Sequence, residues 1–150
     1  MLWSDILSSH DFKIKLEKLL PNELNDLDSE GYSLLSYSLM NKDAAFVEYL
    51  LKDLNVDPKV RPYHGITVNV GEVQEKYSPL WRAAIRAGEP DKKLKLLRNH
   101  GANLNECDDL GFSLLSYILY TCSGNDVLLL EFILRDLGLV LKQHAFSCAI

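Results

Sequence analysis

Histidine and cysteine are the residue types in this chain best suited to nucleophilic catalysis and to binding transition metals. They occur at His10, His64, His100, His144, Cys107, Cys122 and Cys148. Their spacing matches no metal-binding motif, and the sequence holds no glycine-rich phosphate loop and no serine-centred nucleophile elbow. The sequence therefore predicts no catalytic residue, no metal site and no cofactor, and we expect a protein without enzymatic activity.

Two groups of aspartates could serve either as metal ligands or as turn residues. Asp108 and Asp109 follow Cys107 directly, and neighbouring carboxylates raise the pKa of a thiol, which opposes its use as a nucleophile. We interpret these aspartates, together with Asp26 and Asp28, as turn residues rather than metal ligands. An odd number of widely spaced cysteines predicts no disulfide framework and favours a reducing compartment.

Composition and charge exclude several classes of function. Leucine supplies 29 of the 150 residues, whereas glycine supplies 8 and proline 5, and this balance favours helices. The formal net charge of −5 argues against duplex nucleic acid, whose binding normally requires a basic surface. No apolar run approaches the roughly 18 residues of a membrane span, and the N-terminus lacks the basic segment of a secretory signal. We therefore expect a cytoplasmic protein that binds neither nucleic acid nor a membrane.

Two segments of the chain repeat one another 80 residues apart. Residues 28–39 and 108–119 share an aspartate, a glycine, an aromatic residue, the run Ser-Leu-Leu-Ser-Tyr and a final leucine in the same register. A third, weaker copy covers residues 77–84. Each copy precedes a second apolar segment that ends in a leucine pair or its equivalent. This pattern predicts a repeated unit of two helices.

Local signals mark where these helices begin and end. Serine directly before an apolar helix is a preferred N-cap, so we expect Ser33, Ser78 and Ser113 to cap the first helix of each copy. Pro79 then occupies the first helical position of the middle copy, where its missing N–H costs nothing. Gly101 is expected to end the second helix of that copy in a left-handed conformation.

These residues resemble the ankyrin repeat, whose pattern runs from a glycine turn through Thr-Pro-Leu-His to a Leu-Leu pair and Gly-Ala-x-x-Asn. The closest matches are Ser78-Pro79-Leu80 with Ala83-Ala84, and Leu96-Leu97 with Gly101-Ala102-Asn103-Leu104-Asn105. The departures are Leu34 and Leu114 in place of the proline, and Ser36, Trp81 and Ser116 in place of the histidine. The resemblance covers roughly residues 20–141.

The resemblance implies an all-α fold, an ankyrin-repeat solenoid of about four helix-turn-helix repeats with short hairpin loops and one long inserted loop. We expect one domain, composed of an N-terminal cap repeat at 1–27, a repeat at 28–60, an inserted loop at 61–76, a repeat at 77–107, and a C-terminal repeat with its tail at 108–150. In the cap, Trp3 and Leu7 share one apolar face, and a helix from Phe12 stops at Pro21.

Three irregular segments interrupt this period. In the inserted loop, Ile66, Val68 and Val70 alternate with polar residues, so the tip is predicted to form an extended hairpin. The loop is either a recognition finger that carries Arg61, Tyr63 and His64 or a tolerated surface loop. Residues 121–126 are interpreted as a lengthened turn. The mostly apolar tail at 145–150 either covers the last helix or leaves this end open as a partner or self-association surface.

A cluster of basic residues follows Pro90. Lys92, Lys93, Lys95 and Arg98 lie within seven residues of one another. Because the whole chain is acidic and the cluster is short, we interpret it as a solvated helix face.

The resemblance implies that the first helices and the hairpin tips line a concave binding face. The predicted partner-binding residues are Tyr37, Asn41, Arg61, Tyr63, His64, Trp81, Arg82, Arg86, Phe112 and Tyr117. Tyrosine, tryptophan and arginine are enriched at binding hot spots, and Trp81 is expected to be partly exposed beside Arg82. The alternative is that the tyrosines pack on neighbouring helices with only the hydroxyl in water. The tips add Glu30, Tyr32, Asp109 and Leu110, whose acidic members suit a basic partner.

We expect a non-enzymatic protein-protein interaction module. Small ankyrin proteins with irregular repeats and an inserted loop resemble bacterial immunity proteins that inhibit a cognate toxin, and an acidic chain would meet a basic toxin domain quickly. The alternatives are a viral or bacterial ankyrin adaptor that recruits a host protein, and a self-associating structural solenoid. The chain is expected to be a monomer or to self-associate weakly through its C-terminal end.

Overall fold

A computed structural model describes residues 1–64, 66, 77–121 and 126–135. Within these ranges the chain forms nine α-helices and no strand, so the expectation of an all-α protein is confirmed for them. The predicted hairpin through Val68 and Val70, the turn at 122–125 and the C-terminal tail lie outside the described residues. None of the helices that the structure describes is long and apolar enough to cross a membrane.

Three short helices begin the chain: α1 (Trp3–Leu7), α2 (Phe12–Glu17) and α3 (Pro21–Leu24). Trp3 and Leu7 are buried, as the predicted apolar face requires. The predicted end of the second helix is wrong, because α2 ends at Glu17 and Pro21 is instead the first residue of α3. Proline tolerates this position since its absent N–H would have no intrahelical partner there.

Six longer helices follow as three pairs. The first helices of the pairs are α4 (Leu34–Asn41), α6 (Leu80–Arg86) and α8 (Leu114–Thr121). The second helices are α5 (Ala44–Lys52), α7 (Pro90–Asn99) and α9 (Asp126–Arg135). Helix α4 packs against α6, α5 packs against α7, and α7 packs against α9. One core runs through the pairs and includes Leu35, Leu39, Leu50, Leu51, Ala84, Leu94, Leu97, Leu114, Ile118 and Ile133.

A buried aspartate organises the turn before α4, and a second one organises the turn before α8. The Asp28 side chain accepts hydrogen bonds from the N–H groups of Glu30 and Tyr32, both at 2.9 Å. Its own N–H donates to the Tyr32 carbonyl at 2.8 Å, and Gly31 adopts a φ of +84° within the turn. The interpretation of Asp28 as a turn residue is confirmed.

The second turn repeats this geometry. Asp108 accepts from the N–H groups of Leu110 at 3.0 Å and Phe112 at 2.8 Å, and its N–H donates to the Phe112 carbonyl at 2.9 Å. Gly111 has a φ of +87°. The sequence recurrence between residues 28–39 and 108–119 is therefore a recurrence of the same hydrogen-bonded turn.

Each aspartate turn leads into a reciprocal serine cap. Ser33 accepts from the Ser36 N–H at 3.0 Å, while the Ser36 hydroxyl accepts from the Ser33 N–H at 3.0 Å. Ser113 and Ser116 form the same pair at 3.1 and 2.8 Å. Both predicted N-caps are confirmed, and each pair satisfies amides that a helix start leaves without partners.

The prediction for Ser78 is wrong by one residue. Helix α6 begins at Leu80, and Pro79 occupies its N-cap in an extended conformation with a ψ of 147°. Among the described residues, no side chain caps this start. The Ser78 N–H instead donates to the Pro62 carbonyl at 2.7 Å, which holds the incoming chain against the preceding segment. At the other end of this helix pair, Gly101 has a φ of +88° just after α7, as predicted.

Lys93 contradicts the interpretation of its cluster as a solvated face, because it is fully buried. Its Nζ donates to the Leu39 carbonyl in the last turn of α4 at 2.8 Å. Carbonyls of this turn have no partner within their own helix, and a cation is favoured at the negative end of the helix dipole. Burial lowers the pKa of Lys93 below its usual value, while the charges of Glu89 and Asp43 oppose that shift.

Glu89 holds the other side of the same corner. Its Oε1 accepts from the Ala44 N–H at the start of α5 at 3.2 Å, while Asp43 caps α5 by accepting from the Phe46 N–H at 2.9 Å. Lys93 and Glu89 from the second helix pair thus bind both sides of the α4–α5 corner in the first pair.

Replacing Lys93 by alanine tests this connection. We expect Lys93→Ala to lower the free energy of unfolding by about 2 to 3 kcal/mol, because a buried charged hydrogen bond and the packing of the side chain are both lost. The exposed neighbour Lys95 is the matched control, and Lys95→Ala is expected to change stability by less than about 0.5 kcal/mol. Urea unfolding measures both values, and equal effects of the two substitutions would contradict the inferred corner.

Candidate functional site

The chain after α5 docks on the first aspartate turn. The N–H groups of Tyr63 and His64 both approach the Gly31 carbonyl, at 3.0 and 3.2 Å. The Tyr63 ring lies against Gly31 so closely that a Cβ added there would come within 2.7 Å of it. The predicted finger residues Tyr63 and His64 are therefore placed on the turn before α4.

His64 is only 8% exposed and stacks on Tyr32, with ring centroids 4.2 Å apart and an interplanar angle of 13°. Its Nδ1 is buried and has no hydrogen-bond partner among the residues that the structure describes. Burial lowers the pKa of His64 to about 4, and the positive charges of Arg86 and Arg82 act in the same direction. The imidazole is therefore neutral near pH 7.

Two arginines lie one helical turn apart on α6. The Arg82 Nη1 is 2.9 Å from Asp109 Oδ1 and 4.0 Å from the buried Asp108 Oδ2. The Arg82 side chain is 25% exposed, and its guanidinium lies 6.0 Å from the centre of the Tyr117 ring. Arg86 is exposed and forms no ion pair or hydrogen bond with the residues that the structure describes. Arg82 is thus built into the structure, whereas Arg86 is left to solvent.

Aromatic residues belong to the turns and first helices of the units before and after α6. Tyr32 packs edge-on against Tyr37 at 5.6 Å between ring centroids. Phe112 contacts Tyr117 at 6.0 Å and Tyr120 at 5.2 Å, and Tyr120 is 77% exposed. We call the resulting patch the aromatic–arginine surface and define it by residues Tyr32, Tyr37, His64, Arg82, Arg86, Phe112, Tyr117 and Tyr120.

Several predicted site residues meet in this surface. Tyr37, Arg82, Phe112 and Tyr117 are half-buried in it, and Arg86 is exposed. Asn41 is exposed at the end of α4, where its side-chain amide donates to the Tyr37 carbonyl at 3.0 Å. The rings of Tyr37 and Tyr117 pack against neighbouring rings and are partly exposed.

Trp81 differs from the prediction of a partly exposed ring. It is fully buried, and its Nε1 donates to the Glu106 carbonyl at 2.7 Å. Its ring lies 5.6 Å from Tyr117, so it supports the aromatic–arginine surface from below. The helix positions explain this placement, because Trp81 and Arg82 are neighbours along α6 and therefore point to different sides.

Asp109 also differs from its expected role as an acidic tip. Its carboxylate is paired with Arg82, so it does not add a free negative charge to the surface. Glu30, which matches Leu110 in the register of the two turns, remains exposed. Arg82 and Asp109 are 27 residues apart, so no local sequence pattern indicates that they pair.

Arg61 lines a pocket of about 210 Å³. Its guanidinium stacks over Tyr77 at 4.6 Å from the ring centre. Burial raises the pKa of Glu106, which lines the same pocket, and the charge of Arg61 opposes this shift.

The described residues contain no group of three or more histidine, cysteine, aspartate or glutamate side chains placed to hold a metal ion. Cys107 is disulfide-bonded, and the other two cysteines lie outside the described residues. The expectation of no disulfide is therefore wrong. Wide spacing in sequence does not prevent two thiols from meeting in a folded chain.

Comparison of this chain with family models, with curated proteins and with solved structures gives no match.

Gly31 and Gly101 both have a positive φ, but only Gly31 contacts the 62–64 segment. Comparing an alanine substitution at each glycine therefore distinguishes the cost of backbone strain from the cost of displacing this segment. Gly101→Ala adds a Cβ into open space, so it is expected to cost about 1 kcal/mol from φ alone. Gly31→Ala carries the same strain and also forces Tyr63 and the His64 backbone away. We therefore expect it to lower the free energy of unfolding by at least about 2 kcal/mol. Chemical denaturation of both variants gives the comparison. Equal costs would show that residues 62–64 do not rest on this turn.

His64 gives the protein a predictable dependence on acid. Its pKa is lower when folded than the ordinary 6.5, so the unfolded chain binds the extra proton and stability falls as pH drops from 6.5 towards about 4. His64→Phe keeps a flat ring on Tyr32 and removes this titration. Between pH 6.5 and about 4, we expect the free energy of unfolding of the variant to fall by about 1 to 2 kcal/mol less than that of wild type. Parallel losses in urea titrations at both pH values would exclude a neutral buried His64.

Proposed function

We propose that this chain is a non-enzymatic protein-binding module, a short solenoid of the ankyrin-repeat type. The proposal is supported by three successive helix pairs, in which α4 packs on α6 and the second helices α5, α7 and α9 pack in turn. It is also supported by two copies of the aspartate–glycine turn that lead into serine-capped helices. In this arrangement each pair buries its apolar face against its neighbour, and the first helices share one exposed side.

The observation that carries the proposal is the continuity of the aromatic–arginine surface. Ring contacts lead from Tyr37 through Tyr32 to His64, the charges of Arg86 and Arg82 act on His64, and Arg82 leads on to Tyr117. The surface therefore spans all three helix pairs. Partly exposed tyrosine and arginine side chains held in place by packing are the residues that most often anchor a protein partner.

Within this class, an inhibitor of the toxin-immunity type is the role we favour over an adaptor. Such an inhibitor needs a binding surface that is ordered before the partner arrives, since ordering on binding costs affinity. Hydrogen-bonded turns and packed rings give the aromatic–arginine surface that order. The net charge of −5 would speed the approach of a basic partner such as a cationic toxin domain.

A pair of equally exposed residues tests whether this surface binds the partner. Tyr120 on α8 is 77% exposed and Leu128 on α9 is 76% exposed. We expect Tyr120→Ala to weaken capture of a native-source partner by about ten-fold or more. Leu128→Ala is expected to leave capture unchanged, and both variants should melt within about 2 °C of wild type.

The readout is the dissociation constant of the captured partner, followed by an assay of that partner's own activity. Inhibition of a toxic activity would support the immunity-type role, whereas an unaffected partner would point to the adaptor. Loss of binding in Leu128→Ala alone would move the site to the C-terminal end of the chain. Equal binding by all three proteins would exclude the aromatic–arginine surface.

A further inference from the structure

Arg86 is the exposed positive charge at the centre of the aromatic–arginine surface. It lies four residues after Arg82, so the two guanidinium groups project from the same side of α6. Like charges at this spacing repel one another by a few tenths of a kcal/mol. Asp109 compensates Arg82 at 2.9 Å, but no described residue pairs with Arg86.

The positive charges of both arginines act on His64, whose pKa they lower. Arg86 precedes Arg82 among the charges that lower the pKa of His64, and Asp28 is the only described group whose charge opposes them. His64 itself is neutral near pH 7 and adds no charge. The exposed centre of the surface is therefore positive, although the chain as a whole is acidic.

The equivalent positions in the neighbouring helices are uncharged. Asn41 in α4 and Thr121 in α8 occupy the position that Arg86 occupies in α6, and each lies four residues after the matching Tyr37 or Tyr117. Aromatic rings belong to the units on both sides of α6: Tyr32 and Tyr37 to the α4 unit, and the Phe112 group to the α8 unit, where Tyr117 lies 6.0 Å from the Arg82 guanidinium. The surface thus combines one uncompensated cation on α6 with partly exposed aromatic side chains from the two neighbouring units.

From this arrangement we infer that the aromatic–arginine surface receives a carboxylate side chain of the partner protein on Arg86, with apolar partner residues on either side of it. This inference rests on the proposed function and adds the chemistry of the recognised segment. A guanidinium binds a carboxylate through two parallel hydrogen bonds, and flanking aromatic rings exclude water and strengthen that contact. Arg82 is a positioning residue, because its charge is already compensated by Asp109 and its guanidinium lies near the Tyr117 ring.

A recognised acidic residue is compatible with a partner of basic net charge. Long-range attraction depends on the summed charge of each molecule, whereas the contact at Arg86 depends on the group placed within a few ångströms of it. The same segment would be unable to place a lysine or arginine at this point without repulsion from Arg86.

The test uses a displayed library of random peptides as the probe. Selection is carried out in parallel on the wild-type chain, on Arg86→Glu and on Lys95→Glu. Lys95 is exposed on α7 beside Ala44 and Glu48, so Lys95→Glu changes the net charge equally on another face of the protein. Binders are then measured against Tyr120→Ala to establish that they occupy the aromatic–arginine surface.

Wild type and Lys95→Glu are expected to enrich peptides with an aspartate or glutamate beside aromatic or aliphatic residues. Arg86→Glu is expected to weaken those peptides by about ten-fold or more and to select basic residues in place of the acid. Their affinity for wild type is expected to fall as salt is raised.

The opposing outcomes separate this inference from the proposed function. Binders that lose affinity in Tyr120→Ala, carry no acidic residue and bind Arg86→Glu equally well would overturn the carboxylate inference and leave the binding surface in place. Binders that are indifferent to Tyr120→Ala, or a selection that yields none, would overturn both.

Discussion

The hydrogen bonds that Asp28 and Asp108 accept from their own turns are the interaction on which the rest of the structure depends. Each carboxylate fixes two backbone amides, and the glycine of each turn provides the left-handed residue that closes it. This geometry delivers a serine to the start of the following helix and places an aromatic ring beside that start. A buried carboxylate is costly unless it is hydrogen-bonded, so the turn and the burial of the aspartate require one another.

The helix pairs are joined by polar contacts as well as by their apolar core. Lys93 and Glu89 bind the corner of the preceding pair, and the backbone of residues 63 and 64 binds the Gly31 carbonyl. These directional bonds fix the register between units, whereas leucine side chains alone would tolerate sliding. The aromatic–arginine surface is therefore a consequence of how the units are joined, because its residues come from all three pairs.

The sequence predicts the parts of this structure that depend on neighbours in the chain. The all-α class, the two aspartate turns and the Ser33 and Ser113 caps follow from short-range patterns and are confirmed. The start of α6 differs from its prediction because a contact with Pro62, distant in sequence, holds Ser78. Lys93 and Trp81 are buried for the same kind of reason, since the carbonyls that they bind, those of Leu39 and Glu106, belong to other elements. Pairing between distant residues leaves no local pattern to read.

The central claim of this account is that the aspartate turns order the aromatic–arginine surface in the free protein. Amide hydrogen exchange measured by NMR on the unbound chain tests it most directly, at the N–H groups of Tyr32 and Phe112. We predict exchange at least about a hundred-fold slower than in an unstructured peptide, comparable with the amides of α4. Exchange at the unstructured rate at these two positions, with α4 still protected, would show that the surface forms only on binding and would contradict the account.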